Sequence, residues 1–282
     1  MTTELIVSVF NRTELLRKNL LRFRYIEQPD FITIVNDGGD GVELRCMLEK
    51  LDFLNSEIRY IYHNNPDWDS CSIPKNIGLK NSRGDILIYT EPENMFIDNI
   101  IPVAKQLKEK HYAYQQWVYF GKQGSSPFPV NSIENPLGYI EEYGWNLWKP
   151  GTVDVHGGQP TYTKANMVSP WTLIVRREDL MKINGWDEDM SFKNGGGGWG
   201  FDDIDLITRL RESGVNAYQA PFSVIHQWHD RPPAAVQDSW EPNEKLMKAK
   251  QDDDSKHLKD RIMANPERTW GIYDGYMEVI AT

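Results

Sequence analysis

The chain has 282 residues, a net charge of −10 and a pI near 5.2. So acidic a balance argues against a surface that binds nucleic acid by neutralising phosphates. The two cysteines, Cys46 and Cys71, are too few for a disulfide scaffold and lack metal-site spacing, no segment approaches the roughly 20 apolar residues that cross a bilayer, and the N-terminus carries no signal-peptide pattern. These features predict a soluble, cytoplasmic protein with a large α/β core.

In chain order, apolar β-rich runs alternate with amphipathic ones. Leu5–Val9 reads as a strand, Glu14–Phe23 as a helix, Phe31–Val35 as a strand and Val42–Leu54 as a helix. Ile58–Tyr62 then reads as a strand, Pro74–Asn81 as a short helix and Asp85–Tyr89 as a fourth strand. This rhythm predicts βαβ units and a mostly parallel central sheet flanked by helices. Ligands of such sheets sit at the carboxyl ends of the strands. The residues there are polar: Asn11 and Arg12, Asn36 and Asp37, His63 and Asn64, Glu91 and Glu93.

Further along, Gly198-Trp199-Gly200-Phe201-Asp202-Asp203-Ile204-Asp205-Leu206 sets an indole between glycines directly before three acids. Leu206, Ile207 and Leu210 recur at helical spacing and Gly214 gives the stop. The arrangement suits an enzyme that grips a sugar-like ring beside a carboxylate base; alternatively, Asp202 or Asp203 caps the helix and complements its dipole. The run Gly195 to Gly198 predicts a flexible segment that orders when a ligand arrives. Ten tryptophans is a high count for this length; most are expected in the core. Trp117, Trp145, Trp148 and Trp171 fall in a middle segment expected to carry acceptor specificity.

Taken together and in order, these motifs resemble the GT-A glycosyltransferases. Val35-Asn36-Asp37-Gly38-Gly39 looks like their nucleotide-binding turn, and Lys75-Asn76-Ile77-Gly78 through Arg83-Gly84-Asp85-Ile86-Leu87-Ile88 like the approach to their acidic metal motif. Gly185-Trp186-Asp187-Glu188 and the Gly198–Leu206 stretch resemble the acceptor half of galactosyltransferase and chondroitin-polymerase types. The resemblance covers residues 4–94 and 170–230. It departs at the metal motif, where the usual Asp-x-Asp is Glu91-Pro92-Glu93. Glutamate offers the same oxygens with one more methylene of reach.

The resemblance implies a metal-dependent inverting glycosyltransferase that moves a sugar from a nucleoside-diphosphate sugar, UDP-linked by expectation, to a glycan or glycoconjugate hydroxyl. It implies Glu93 as the direct metal ligand, Glu91 on ribose or a metal-bound water, and a late histidine, His229 before His226, closing the site. A nitrogen donor beside oxygens favours Mn²⁺, with Mg²⁺ as the alternative. It further implies Asp37 on the base edge, Asn11 and Arg12 flanking the nucleotide, and Lys75 with Asn76 near the diphosphate. Asp203 would be the catalytic base, with Trp186, Trp199, Gly200 and Asp202 holding the acceptor. The expected layout is a GT-A domain over 1–231, with a donor half over 1–94 and an acceptor half over 95–231, followed by a helical and aromatic extension over 232–282. The alternatives are transfer to a modified DNA base and a non-catalytic carbohydrate-binding relative; a nucleotidyltransferase is disfavoured by the acceptor motif.

Overall fold

A computed structural model describes residues 1–65, 69–120, 132–143, 146–148, 170–198, 200–229, 240–252, 262–265 and 269–280. The first half runs β1 (Thr3–Val9), α1 (Thr13–Leu21), β2 (Phe31–Asn36), α2 (Gly41–Leu48), β3 (Glu57–His63), α3 (Ser72–Asn81) and β4 (Ile86–Thr90). Each expected element is present. Helix α2 ends at Leu48, short of the expected Leu54, because the next amides turn back three residues, Lys50 N–H to Met47 and Leu51 N–H to Leu48. That tighter geometry closes a helix rather than extending it.

The second half adds β5 (Asn94–Phe96), α4 (Ile100–Lys105), β6 (His111–Phe120), α5 (Pro136–Tyr143), β7 (Asn146–Trp148), β8 (Thr172–Arg176) and α6 (Arg177–Lys182). After these come α7 (Asp202–Glu212), β9 (Asn216–His226), α8 (Trp240–Gln251) and β10 (Gly275–Ile280). Among the described residues one sheet runs β10-β3-β2-β1-β4-β8-β6-β9-β5, with β7 on β6. Its β3-β2-β1-β4 block is parallel throughout, β9 is parallel to β6, and β10, β8, β7 and β5 join antiparallel.

The sequence builds three layers because parallel strands bury both faces. Leu5, Val7 and Val9 of β1 face one core with Leu16, Leu20, Leu44, Leu48, Ile100 and Ile101. Ile6, on the opposite side of the same strand, packs with Leu79, Leu180, Leu206, Ile207 and Leu210. Helices α1, α2 and α4 thus cover one face, and α3, α6 and α7 the other. The chain steps outward from β1 to β2 to β3 and then returns to β4 on the other side of β1. A crevice opens at such a reversal, outside the carboxyl ends of the strands.

Candidate active site

That reversal brings Arg12, just beyond β1, to Glu93, just beyond β4, with Arg12 Nη1 2.6 Å from Glu93 Oε1. The histidines arrive by strand pairing. Strands β5 and β9 run antiparallel with Asn94 opposite His226, and the Gln227 N–H donates to the Glu93 carbonyl at 2.9 Å. Residues more than a hundred positions apart are therefore stapled together. His229 Nε2 lies 3.2 Å and His226 Nε2 3.8 Å from Glu93 Oε1, and one ligand atom from each of the three lies within 4.8 Å of the others. Trp171 meets the His226 ring edge-on at 4.8 Å.

The donor chemistry of this cluster fits a divalent cation. Burial alone would raise the Glu93 carboxyl, but the contact with His229 and the charge of Arg12 outweigh it and hold the group well below its usual range. Its second oxygen, Oε2, is buried with no hydrogen-bond partner among the described residues, an arrangement that costs free energy unless something binds there. Burial also pushes the His226 imidazole down to about 4. It is therefore neutral at ordinary pH, the form a metal ligand requires.

Beside this cluster sits an acidic one, centred on Lys75. The ammonium is 3.1 Å from Asp203 Oδ1, 3.4 Å from Asp202 Oδ2 and 3.3 Å from Glu91 Oε1. Burial pulls its pKa down, yet Asp203, Asp202 and Glu91 together carry it well above the ordinary value. Asp202, in turn, is pushed up to about 6 by burial and by its neighbour Asp203, against the pull of Lys75. Glu91 is raised by burial and by the charges of Glu93 and Asp203, with Lys75 opposing. Both aspartates stand in the first turn of α7, where the helix dipole favours negative charge. The residue just before this helix, Phe201, has φ 62°.

Other expected residues take different places. Trp186 is only 1% exposed and packs on Tyr89 at 4.6 Å, so its ring is closed to a sugar. It reaches the site through its indole N–H, which donates to Asp203 Oδ1 at 3.1 Å. Asn76 is consumed by structure: its amide donates to the Trp186 carbonyl and Glu188, and its oxygen accepts the Trp186 N–H. Asp205 pairs with Arg209 one turn on, at 2.7 Å. Gly200, with φ 82°, lies two residues before α7. Trp199, Trp145 and Asp230 lie outside the described residues.

Around Asp37 the structure gathers a polar cluster whose members the motifs only half foretold. Asp37 is buried; its Oδ1 accepts from Asn65 at 3.2 Å, while Oδ2 has no partner among the described residues. Burial pushes the carboxyl up to about 8, with the Asn65 hydrogen bond opposing. Lys193 donates to the Asn65 side-chain oxygen at 2.8 Å, and its backbone N–H donates to Asp69 at 2.9 Å. Asn11, at φ 53°, accepts from the Asp40 N–H at the mouth of the turn. Asn65 follows strand β3 by two residues, a position the strand-end rule reaches. Lys193 had no comparable signal.

The glycine run is held by hydrogen bonds and close contacts. Gly196, Gly197 and Gly198 each donate a backbone hydrogen bond, to Ser191, Asn243 and Met190 respectively. Gly198 has φ 70°, and a β-carbon there would fall 2.3 Å from the Phe192 ring and 2.6 Å from the Asp69 carbonyl. The glycines permit close packing here.

Comparison with known proteins bears on the fold and on residues 161–230. Residues 161–230 match a family described as the N-terminal domain of galactosyltransferase. No curated protein matches the chain in sequence. Among solved structures, the S. aureus TarS chain aligns with a TM-score of 0.55 at 12% identity, over 93% of this chain and 41% of that one. Its 1-349 form in complex with UDP gives 0.52 at 12% identity, over 80% and 60%. The mannosyltransferase PcManGT from Pyrobaculum calidifontis, in complex with GDP-Man and Mn2+, gives 0.51 at 13% identity, over 88% and 61%. The chain spans less than two thirds of the length of these structures. In fold the chain is of the GT-A type, and residues 161–230 are similar to the N-terminal domain of galactosyltransferase.

Proposed function

We propose that this chain is a metal-dependent, inverting glycosyltransferase that transfers a sugar from a UDP-linked donor to a hydroxyl of a glycan or glycoconjugate. The observation that carries the reading is the meeting of Glu93, His226 and His229 within 4.8 Å, next to carboxylates gathered around Lys75. The UDP and Mn2+ complexes of the structural neighbours support the same reading. In this proposal residues 1–94 serve the donor and residues 95–231 serve the acceptor.

The roles follow from charge. Glu93, His226 and His229 would hold Mn²⁺, which when bound stabilises the charge of a departing diphosphate. Asp37 offers an unpartnered buried oxygen to an N–H on the base edge, and Asn11 stands at the mouth of the same turn. Arg12 and Lys75 supply positive charge beside the diphosphate. Asp203, oriented by Lys75 and by the Trp186 N–H, takes the proton of the acceptor hydroxyl as its oxygen attacks the anomeric carbon. Attack on the face opposite the leaving diphosphate inverts the anomeric centre.

A thermal-shift panel of nucleoside-diphosphate sugars, with and without Mn²⁺, tests the reading. Stabilisation by a UDP sugar that depends on Mn²⁺, followed by hydrolysis of that donor, is the expected result. A protein that no nucleotide sugar stabilises in either condition contradicts it, and retained configuration in the product by NMR overturns the inverting assignment.

A further inference from the structure

Beyond the residues matched to the galactosyltransferase family, helix α8 lays one face along the acceptor segment. Asn243, Met247 and Lys250 are spaced four and three residues apart, which places them on a single side of the helix. Each of the three meets a different part of that segment.

Asn243 is fully buried. Its side-chain oxygen accepts the Gly197 N–H at 2.7 Å, and its amide donates to the Gly200 carbonyl at 2.9 Å. One side chain therefore holds the backbone on both sides of position 199. One turn on, Met247 packs into a cluster with Met190 and Ile204. Lys250 closes the contact, 2.5 Å from Asp187 and 2.7 Å from Asp189. The opposite face is solvated, with Lys245 80% exposed.

We propose that α8 is the positioning element of the acceptor loop, with Asn243 fixing the backbone at Gly197 and Gly200 that leads into Asp202 and Asp203. The backbone around four glycines has many accessible conformations. An amide that accepts from one flank and donates to the other selects one of them. Its effect falls on the acceptor side of the reaction, because the backbone that Asn243 holds at Gly197 and Gly200 leads into the proposed base. The kinetic part of this inference rests on the proposed glycosyl transfer; the structural part does not.

Two measurements on the full chain separate those parts. Hydrogen–deuterium exchange of peptides covering 195–201 needs no ligand. Asn243→Ala should speed exchange there about tenfold, the result of removing a hydrogen bond worth roughly 1.4 kcal/mol, with β1 and β4 unchanged. Asn243→Asp, which keeps the acceptor for Gly197 and loses the donor to Gly200, should fall between, and Lys245→Ala should match the parent. Then, on the donor and acceptor pair selected by screening, Asn243→Ala should raise the acceptor KM about tenfold or more and leave the donor KM within about twofold. Unchanged exchange over 195–201 would overturn the proposal even if no transfer activity is found. Equal rises in both KM values would overturn it too, by marking Asn243 as merely structural. If Asn243→Ala does not fold, Asn243→Asp carries both measurements with the same criteria.

Discussion

Both Lys75 and the Trp186 indole donate to the same oxygen of Asp203. An asparagine there can still accept both hydrogen bonds, so Asp203→Asn should preserve the fold and donor affinity while removing the base. Transfer is expected to fall by about 10²–10⁴, the usual share of a general base, measured as kcat under saturating donor. Parental turnover would reject the assignment. Asp37 makes a pH prediction. Its folded pKa stands near 8 against 3.8 for the free side chain, so the native state holds a proton that the unfolded chain releases. The stability tied to that proton is fully present below pH 3.8 and is lost progressively as pH rises toward about 8. Asp37→Asn should flatten the fall of Tm with pH across that window; an unchanged slope would contradict the assignment. These carboxylates were legible as strand-end and helix-start residues. The burial of Trp186 was not, because a tryptophan beside a glycine reads the same whether its face packs inward or meets a ligand.

At the scale of elements, the site depends on two junctions. Strands β5 and β9 bring His226 opposite Asn94; the short strand after Glu93 is only three residues long, too brief for periodicity to reveal its partner. The turn after β2 is the other junction. Gly38 has φ 91°, and a β-carbon there would lie 1.7 Å from the Asn65 carbonyl oxygen. Gly38→Ala therefore forces the turn and the residues after β3 apart and adds backbone strain of about 1–3 kcal/mol. It should lower Tm and abolish nucleotide stabilisation in the same thermal-shift assay. A variant that binds like the parent would show that the turn does not shape this cluster. The helices that carry α/β rhythm were legible from hydrophobic spacing, and α7 from its acids and Gly214 stop. The packing of the glycine run was not legible, since four glycines signal freedom in an isolated chain and carry no record of the close approach of Met190, Phe192 and Asp69.

For the whole molecule, the sheet is locked by a charge network far from the site. Glu4, on β1, accepts from Thr33, Arg59 and the N–H groups of Arg83 and Gly84, joining three strands and the turn before β4. Both members of the Glu4–Arg59 pair are buried. Removing one partner leaves the other uncompensated, so Glu4→Ala should cost about 3–5 kcal/mol in urea unfolding; a loss under about 1 kcal/mol would mean that solvent reaches the pair. The three-layer architecture was legible because alternate residues of β1 face opposite cores. The return of Gly275–Ile280 to pair with β3 was not, since an isolated aromatic tail carries no record of its partner. Across the same molecule, among the described residues no helix is long and apolar enough to cross a membrane.

In the proposed reaction Glu93, with His226 and His229, holds a cation for the donor diphosphate. Calorimetric titration of UDP into the parent and into Glu93→Gln, each with and without Mn²⁺, tests it most directly. Mn²⁺ should strengthen UDP binding in the parent by about tenfold or more, and Glu93→Gln should lose this gain while keeping its metal-free affinity. Equal Mn²⁺ enhancement in both proteins, or none in the parent, would contradict it.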